Sequence, residues 1–168
     1  MEIPPELQSM LDAEHGPTKQ KAARLVVDLA ASAGASEFTQ CAHAHVSGVS
    51  VITGGHGLRR FLSDLSGDPE GTVSIPTTLN SAGCDREQIE EMGIDHENFL
   101  EYQFEIIHAY SELGIDATLS CTPYDRGVEM ESGIGSWAES NAVCYSNSYT
   151  SLMTNRESGL SALATALT

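Results

Sequence analysis

Between positions 120 and 141 the chain carries Ser120-Cys121-Thr122-Pro123-Tyr124 and then Ser136-Trp137-Ala138-Glu139-Ser140-Asn141, a thiol, hydroxyls, a carboxylate and a carboxamide close together in sequence. Ile115 to Leu119 is a short apolar and β-branched run, and Pro123 cannot donate to a sheet ladder. The pattern predicts a buried strand that stops at Cys121. In open α/β sheets the carboxyl edge of the strands is where ligands bind. A cysteine delivered there can serve as a metal-holding thiolate, and it can equally be a small buried hydrophobe. One unpaired cysteine does not separate the two.

Other residue types suited to binding sit at similar places. Ser47-Gly48-Val49-Ser50-Val51-Ile52-Thr53-Gly54-Gly55-His56-Gly57 leads from a strand towards a helix, the way a nest of backbone amides for an anion is built. It has neither the Walker lysine nor the Gly-x-Gly-x-x-Gly spacing, and it reads equally well as a structural turn. Pro76-Thr77-Thr78-Leu79-Asn80-Ser81-Ala82-Gly83 ends in Asn80, whose carboxamide can both donate to and accept from a substrate carboxylate or hydroxyl, or simply close an Asx turn. His43 and His45 share a strand face by the period of two and, with no third ligand nearby, read as hydrogen-bonded strand histidines. Glu139 opens a helix and has a sufficient role there as an acid near the positive end of the dipole. Cys144 is expected in the core of that helix, and Cys84 in an exposed loop beside Asn80.

These residues need a layered scaffold, and the rest of the chain predicts one. Thr18 to Ala33 repeats Ala22, Leu25, Val26, Leu29 and Ala33 at helical spacing and stops at Gly34. An extended segment is expected over Phe38 to Val46, a glycine-rich turn over Val46 to Gly57, a short helix through Leu58, Phe61, Leu62 and Leu65, and a strand over Thr72 to Ile75 closed by Pro76. Asp85 can cap a helix running to Met92. The longest helical pattern covers His96 to Leu113, a third strand Ile115 to Cys121, and further helices Ala138 to Ser148 and Ser158 to Leu167. Alternation of helix and strand argues for an α/β fold with a largely parallel sheet.

With 168 residues and 40% hydrophobic content the chain can bury one proper core. Asp+Glu 24 against Lys+Arg 8 gives a formal net charge of -16, and only Lys19 and Lys21 are lysines. Such a surface repels nucleic acid, and no basic stripe offsets it. It suits a halophilic cytosol, where salt screens self-repulsion. Cys41, Cys84, Cys121 and Cys144 form no Cys-x-x-Cys pair, which argues against a zinc ribbon or a disulfide scaffold. No secretory signal and no membrane-spanning run is visible, so a cytoplasmic location with reduced thiols is expected. Leu160 to Thr168 is still amphipathic where the sequence stops, which reads as one N-terminal piece, residues 1–168, of a longer catalytic domain.

Taken together, Ala44-His45-Val46-Ser47-Gly48-Val49-Ser50, Pro76-Thr77-Thr78-Leu79-Asn80, Cys121-Thr122-Pro123-Tyr124, Trp137-Ala138-Glu139-Ser140-Asn141-Ala142-Val143 and Asn155-Arg156-Glu157-Ser158-Gly159 resemble the aconitase X family. The resemblance runs over nearly the whole chain and over the first two-fifths of that family's catalytic subunit. It implies an aconitase-like three-layer α/β/α architecture, here incomplete, and an iron–sulfur hydro-lyase, with a [4Fe-4S] cluster expected. It also implies a separate small swivel subunit that supplies the base, so no catalytic base is expected in this chain. By position, Cys121 would be a cluster ligand, and Gly48, Val49, Ser50, Asn80 and Ser81 would contact substrate. The implied reaction removes water from (R)-5-phosphomevalonate to give trans-anhydromevalonate 5-phosphate. The alternatives are dehydration of cis-3-hydroxy-L-proline and, from another class, an inactive fragment or non-catalytic anion-binding module. One departure stands out: the family usually has Pro-Ala-Gly-Met after the asparagine, where this chain has Ser81-Ala82-Gly83-Cys84.

Overall fold

The computed structural model describes residues 1–85, 87–94 and 98–168. Its centre is a four-stranded, all-parallel sheet in the order β2-β1-β3-β4, built from β1 (His43–Val46), β2 (Thr77–Leu79), β3 (Gly133–Ser136) and β4 (Leu152–Thr154). Ala44 pairs with Thr77 on one side of β1 and with Ser136 on the other. Every residue of β1 is buried, as expected of a central strand with neighbours on both edges. The helices are α1 (Pro5–Leu11), α2 (Gly16–Ser32), α3 (Val51–Ser66), α4 (Phe99–Glu112), α5 (Ser140–Tyr145) and α6 (Leu160–Leu167).

Residue alternation along β1 sorts the two faces of the sheet. Val46 joins the main core together with Leu79, Ala22 of α2, Leu62 and Leu65 of α3, Ile106 and Tyr110 of α4, and Leu163 and Leu167 of α6. Full burial of a leucine such as Leu62, 0% exposed, contributes about 1.5–3 kcal/mol. His43 and His45 face the other way, against Trp137 at ring-centroid distances of 5.4 and 4.7 Å. Trp137 gathers a smaller cluster there with Ala142 and Leu152. The α/β class and the parallel sheet expected from the sequence are therefore both present.

Several boundaries differ from the sequence expectation. The strand expected at Thr72 to Ile75 lies instead at Thr77–Leu79, after Pro76. Pro76 itself pairs only through its carbonyl, which accepts from the Ala44 amide at 3.1 Å, so its missing N–H costs nothing. The segment expected as a third strand, Ile115 to Cys121, makes a single parallel bridge, Thr78 to Asp116. The Ser120 amide still donates to the Leu79 carbonyl at 3.3 Å, so the segment tracks β2 without forming a ladder. Leu119 interrupts it with φ 47, a left-handed value that a branched side chain adopts only at a cost of about 1–3 kcal/mol.

The strand of Phe38 to Val46 is confined to His43–Val46, and the glycine-rich stretch is already helical from Val51, with a break at Gly55 (φ 55, ψ -159). Asp85 does cap, its Oδ1 accepting from the amides of Glu87 at 2.8 Å and Gln88 at 3.2 Å, but the described residues after it form turns rather than a helix. His96, the expected start of the long helix, lies outside the described residues; the helix begins at Phe99.

Candidate active site

Two loops leave the sheet at its carboxyl edge side by side. The first, after β1, turns at Gly48, whose φ of +80 favours glycine, and enters α3 at Ser50. Ser50 is the N-cap of α3: its hydroxyl accepts from the Ile52 amide at 3.1 Å. The second loop, after β2, runs through Asn80, Ser81 and Gly83. A Cβ placed on Gly83 would stand 2.1 Å from Ser50 Oγ, so only glycine lets the two loops approach this closely.

One side chain binds both loops. Gln103 of α4, 1% exposed, accepts at Oε1 from the amides of Val51 at 3.0 Å and Gly83 at 3.3 Å. Its Nε2 donates to the Val49 carbonyl at 2.9 Å. The clamp was not foreseen from the sequence, because a glutamine on a helical stripe carries no signal of what faces it. It also limits Val49: the side chain is 1% exposed and the carbonyl is engaged, which leaves its backbone N–H as the group to offer a ligand.

Cys121 comes to the same edge. It is exposed, and Ser81 Oγ lies 3.4 Å from its Sγ. The Ser81 amide donates to Asn80 Oδ1 at 2.7 Å, and Asn80 Nδ2 donates to Glu139 Oε1 at 2.9 Å. Glu139 is the N-cap residue of α5 but makes no side-chain cap, so its carboxylate serves Asn80 and not the helix end. Next to this row opens a recess of about 640 Å³, lined by Ser81, Gly83, Cys84, Asp85 and Arg126 among others. The motif at Asn155 to Gly159 abuts the first loop, where the hydroxyls of Ser47 and Ser158 meet. The structure therefore brings Gly48, Val49, Ser50, Asn80, Ser81 and Cys121 to one edge of one sheet.

The other cysteines fall elsewhere. Cys144, expected in the core, is exposed on α5, because Ala142 and Ser146 take the inward positions of that turn. Cys84, expected to be exposed, is half-buried. Among the described residues no three His, Cys, Asp or Glu side chains converge as a metal site would require.

His43 and His45 are 3% and 0% exposed. His45 Nδ1 shares a 2.8 Å hydrogen bond with Thr78 Oγ1, as expected of a strand histidine, whereas neither ring nitrogen of His43 has a partner among the described residues. Burial lowers His43 to about 4 and His45 to about 3, the charge of His43 adding to the latter. Their unfolded counterparts titrate near 6.5. Below that pH the unfolded chain binds protons that the folded chain refuses, so stability is complete above pH 6.5 and falls as the pH drops towards 4. The slope can reach about 2.7 kcal/mol per pH unit for two protons. Urea midpoints should therefore decline from about pH 7.5 to 5, and His43→Leu should flatten the decline by roughly half; midpoints level across that range would contradict the assignment.

Known proteins resemble this chain over its whole length. The family described as "Aconitase X first domain" matches residues 1–168. The chain belongs to the aconitase X family. The aconitase X relative named phosphomevalonate dehydratase large subunit from Methanosarcina mazei is 39% identical over 99% of this chain and 41% of its own length. The cis-3-hydroxy-L-proline dehydratase of Pseudomonas aeruginosa is 33% identical over 96% of this chain and 27% of its own. A solved structure, Thermococcus kodakaraensis aconitase X in its holo-form, superimposes with a TM-score of 0.81 at 33% identity, over 99% of this chain and 41% of that one. The chain thus spans about two-fifths of the aconitase X large subunits it matches. Among the described residues no helix is long and apolar enough to cross a membrane.

Proposed function

We propose that this chain supplies the substrate loops and one thiolate ligand of an iron–sulfur hydro-lyase that removes water from (R)-5-phosphomevalonate to give trans-anhydromevalonate 5-phosphate. The observation that carries the reading is the meeting of the Gly48–Ser50 turn, Asn80–Ser81 and Cys121 at one sheet edge, in a chain 39% identical to a phosphomevalonate dehydratase large subunit. Cys121 fits as one ligand of a cluster: it is exposed and its sulfur lies 3.4 Å from the Ser81 hydroxyl, a group able to donate to a thiolate. The remaining ligands come from outside the described residues, since no three candidate ligands converge within them. When bound, an iron–sulfur cluster with one open iron supplies a Lewis acid for the departing hydroxyl.

The residues of this chain bind and orient. The Gly48 turn offers the backbone N–H of Val49 to an anionic substrate end, Asn80 aligns a hydroxyl or carboxylate, and the Gln103 clamp holds both loops in place before substrate arrives. Arg126 adds a cation to the recess, beside the acids Asp85 and Glu87. The proton acceptor belongs to a small subunit that closes over this edge, in keeping with the "large subunit" in the relatives' names. Hydroxyproline dehydration is the second reading, supported by the 33% identical Pseudomonas relative. The test is reconstitution of the full-length gene product with its small subunit, iron and sulfide. Water loss from phosphomevalonate but not from cis-3-hydroxy-L-proline is the expected result, and the reverse preference would overturn it.

The acidic surface belongs to the same picture of a salt-adapted cytosolic enzyme. With a net charge of -16, mutual repulsion destabilises the compact state until salt screens it. The melting temperature of the chain should rise between 0.1 and 2 M KCl, and a fall would argue against halophily.

A further inference from the structure

We propose that Glu139 is a positioning residue of this site: its carboxylate decides which way round the Asn80 carboxamide stands, and with it the seat of Ser81 beside Cys121. The inference begins with an asymmetry of hydrogen-bonding groups. A carboxamide presents an N–H₂ donor on one side and a carbonyl acceptor on the other, nearly equal in shape. An ionised carboxylate only accepts. With Glu139 Oε1 at 2.9 Å, Asn80 must turn its Nδ2 towards it, and Oδ1 then faces the Ser81 amide at 2.7 Å. The flipped amide would set carbonyl against carboxylate and N–H₂ against N–H, two repulsive contacts in place of two bonds.

The consequence reaches the thiol. Ser81 is tied by its backbone to Asn80, and its hydroxyl lies 3.4 Å from both Asn80 Oδ1 and Cys121 Sγ. A hydroxyl carries one proton and can also accept, so it can serve either neighbour. The row Glu139, Asn80, Ser81, Cys121 therefore seats a hydroxyl beside the sulfur through three side chains that are not themselves thiols.

The structural half of the inference stands on these distances; the catalytic half rests on the dehydratase reading. The experiment keeps them apart. In the ¹⁵N-labelled chain, the Asn80 side-chain amide should show one proton shifted downfield and protected from exchange. Glu139→Ala should abolish both signs. The isosteric Glu139→Gln, which can donate as well as accept, should split the resonance into two populations while leaving the thermal melt in place. An Asn80 resonance unmoved in both variants would overturn the positioning role. In the reconstituted two-chain assembly, Glu139→Ala should lower kcat by roughly 10–100-fold, the usual cost of removing the partner behind a ligand, with Glu139→Gln in between. Unchanged kcat and KM in Glu139→Ala would overturn the catalytic half. If the unsubstituted assembly turns over neither substrate, the dehydratase reading falls, and the amide spectra still judge the positioning.

Discussion

On the proposed hydro-lyase reading, replacing Cys121 by alanine in the complete two-chain assembly is expected to abolish cluster retention and to reduce turnover by more than about 100-fold, beyond what loss of an outer hydrogen bond costs. The fold of the chain should be untouched. Cys121 is exposed on a loop that makes no ladder, so removing its sulfur opens no cavity, and the melting temperature without metal should hold within about 1 °C. Cys144→Ala is the matched control: the same substitution at an exposed cysteine on α5, outside the row of site residues, should leave iron content unaltered. Iron analysis and the visible absorbance of the three proteins decide the matter. Iron retained at full stoichiometry in Cys121→Ala would remove the thiolate from the account.

Gln103→Leu is expected to have the second largest effect, and it acts through the fold. Leucine keeps most of the volume but strands the amides of Val51 and Gly83 and the carbonyl of Val49, three groups that Gln103 now satisfies from a site 1% exposed. A buried backbone group without a partner costs about 1–3 kcal/mol, and partial relief by water brings the sum to about 2–5 kcal/mol. For a chain of this size that corresponds to a fall in melting temperature of about 5–20 °C. The same loss frees the two loops from one another, so on the proposed reading KM should rise even at temperatures where the variant stays folded. Calorimetry and steady-state kinetics of the assembly check both, and a variant that melts with the parent would show that the loops do not depend on the clamp.

Glu139 and Gln103 show why the local pattern was not enough. In sequence Glu139 has a sufficient explanation at the head of α5 and Gln103 sits at an ordinary helical position. Their work appears only when Asn80, 59 positions from Glu139, and Val51, 52 positions from Gln103, are brought against them. The strands were hard to see for a related reason. Gly133-Ile134-Gly135-Ser136 is poor in strand formers, yet it pairs on both sides, and Gly135 is glycine because Leu152 fills the space where a Cβ would stand, 2.9 Å away. Ile115 to Leu119 has the opposite character: strand-like residues whose register is broken by the left-handed turn at Leu119. The helix α1, which packs Leu7 and Met10 against Ala23 of α2, was missed because seven residues span too few turns for a clear period.

Sequence alone determined the class and the kinship of this protein. Helical periodicity over α2, α4 and α6 and the order of five short motifs are properties of neighbouring residues, and they persist whatever the chain packs against. The tertiary structure alone decided which groups cooperate. Hydrogen bonds act over about 3 Å, so the clamp of Gln103 on two loops, the orientation of Asn80 by Glu139 and the approach of Ser81 to Cys121 come into being only when the parallel sheet delivers its loops to one edge.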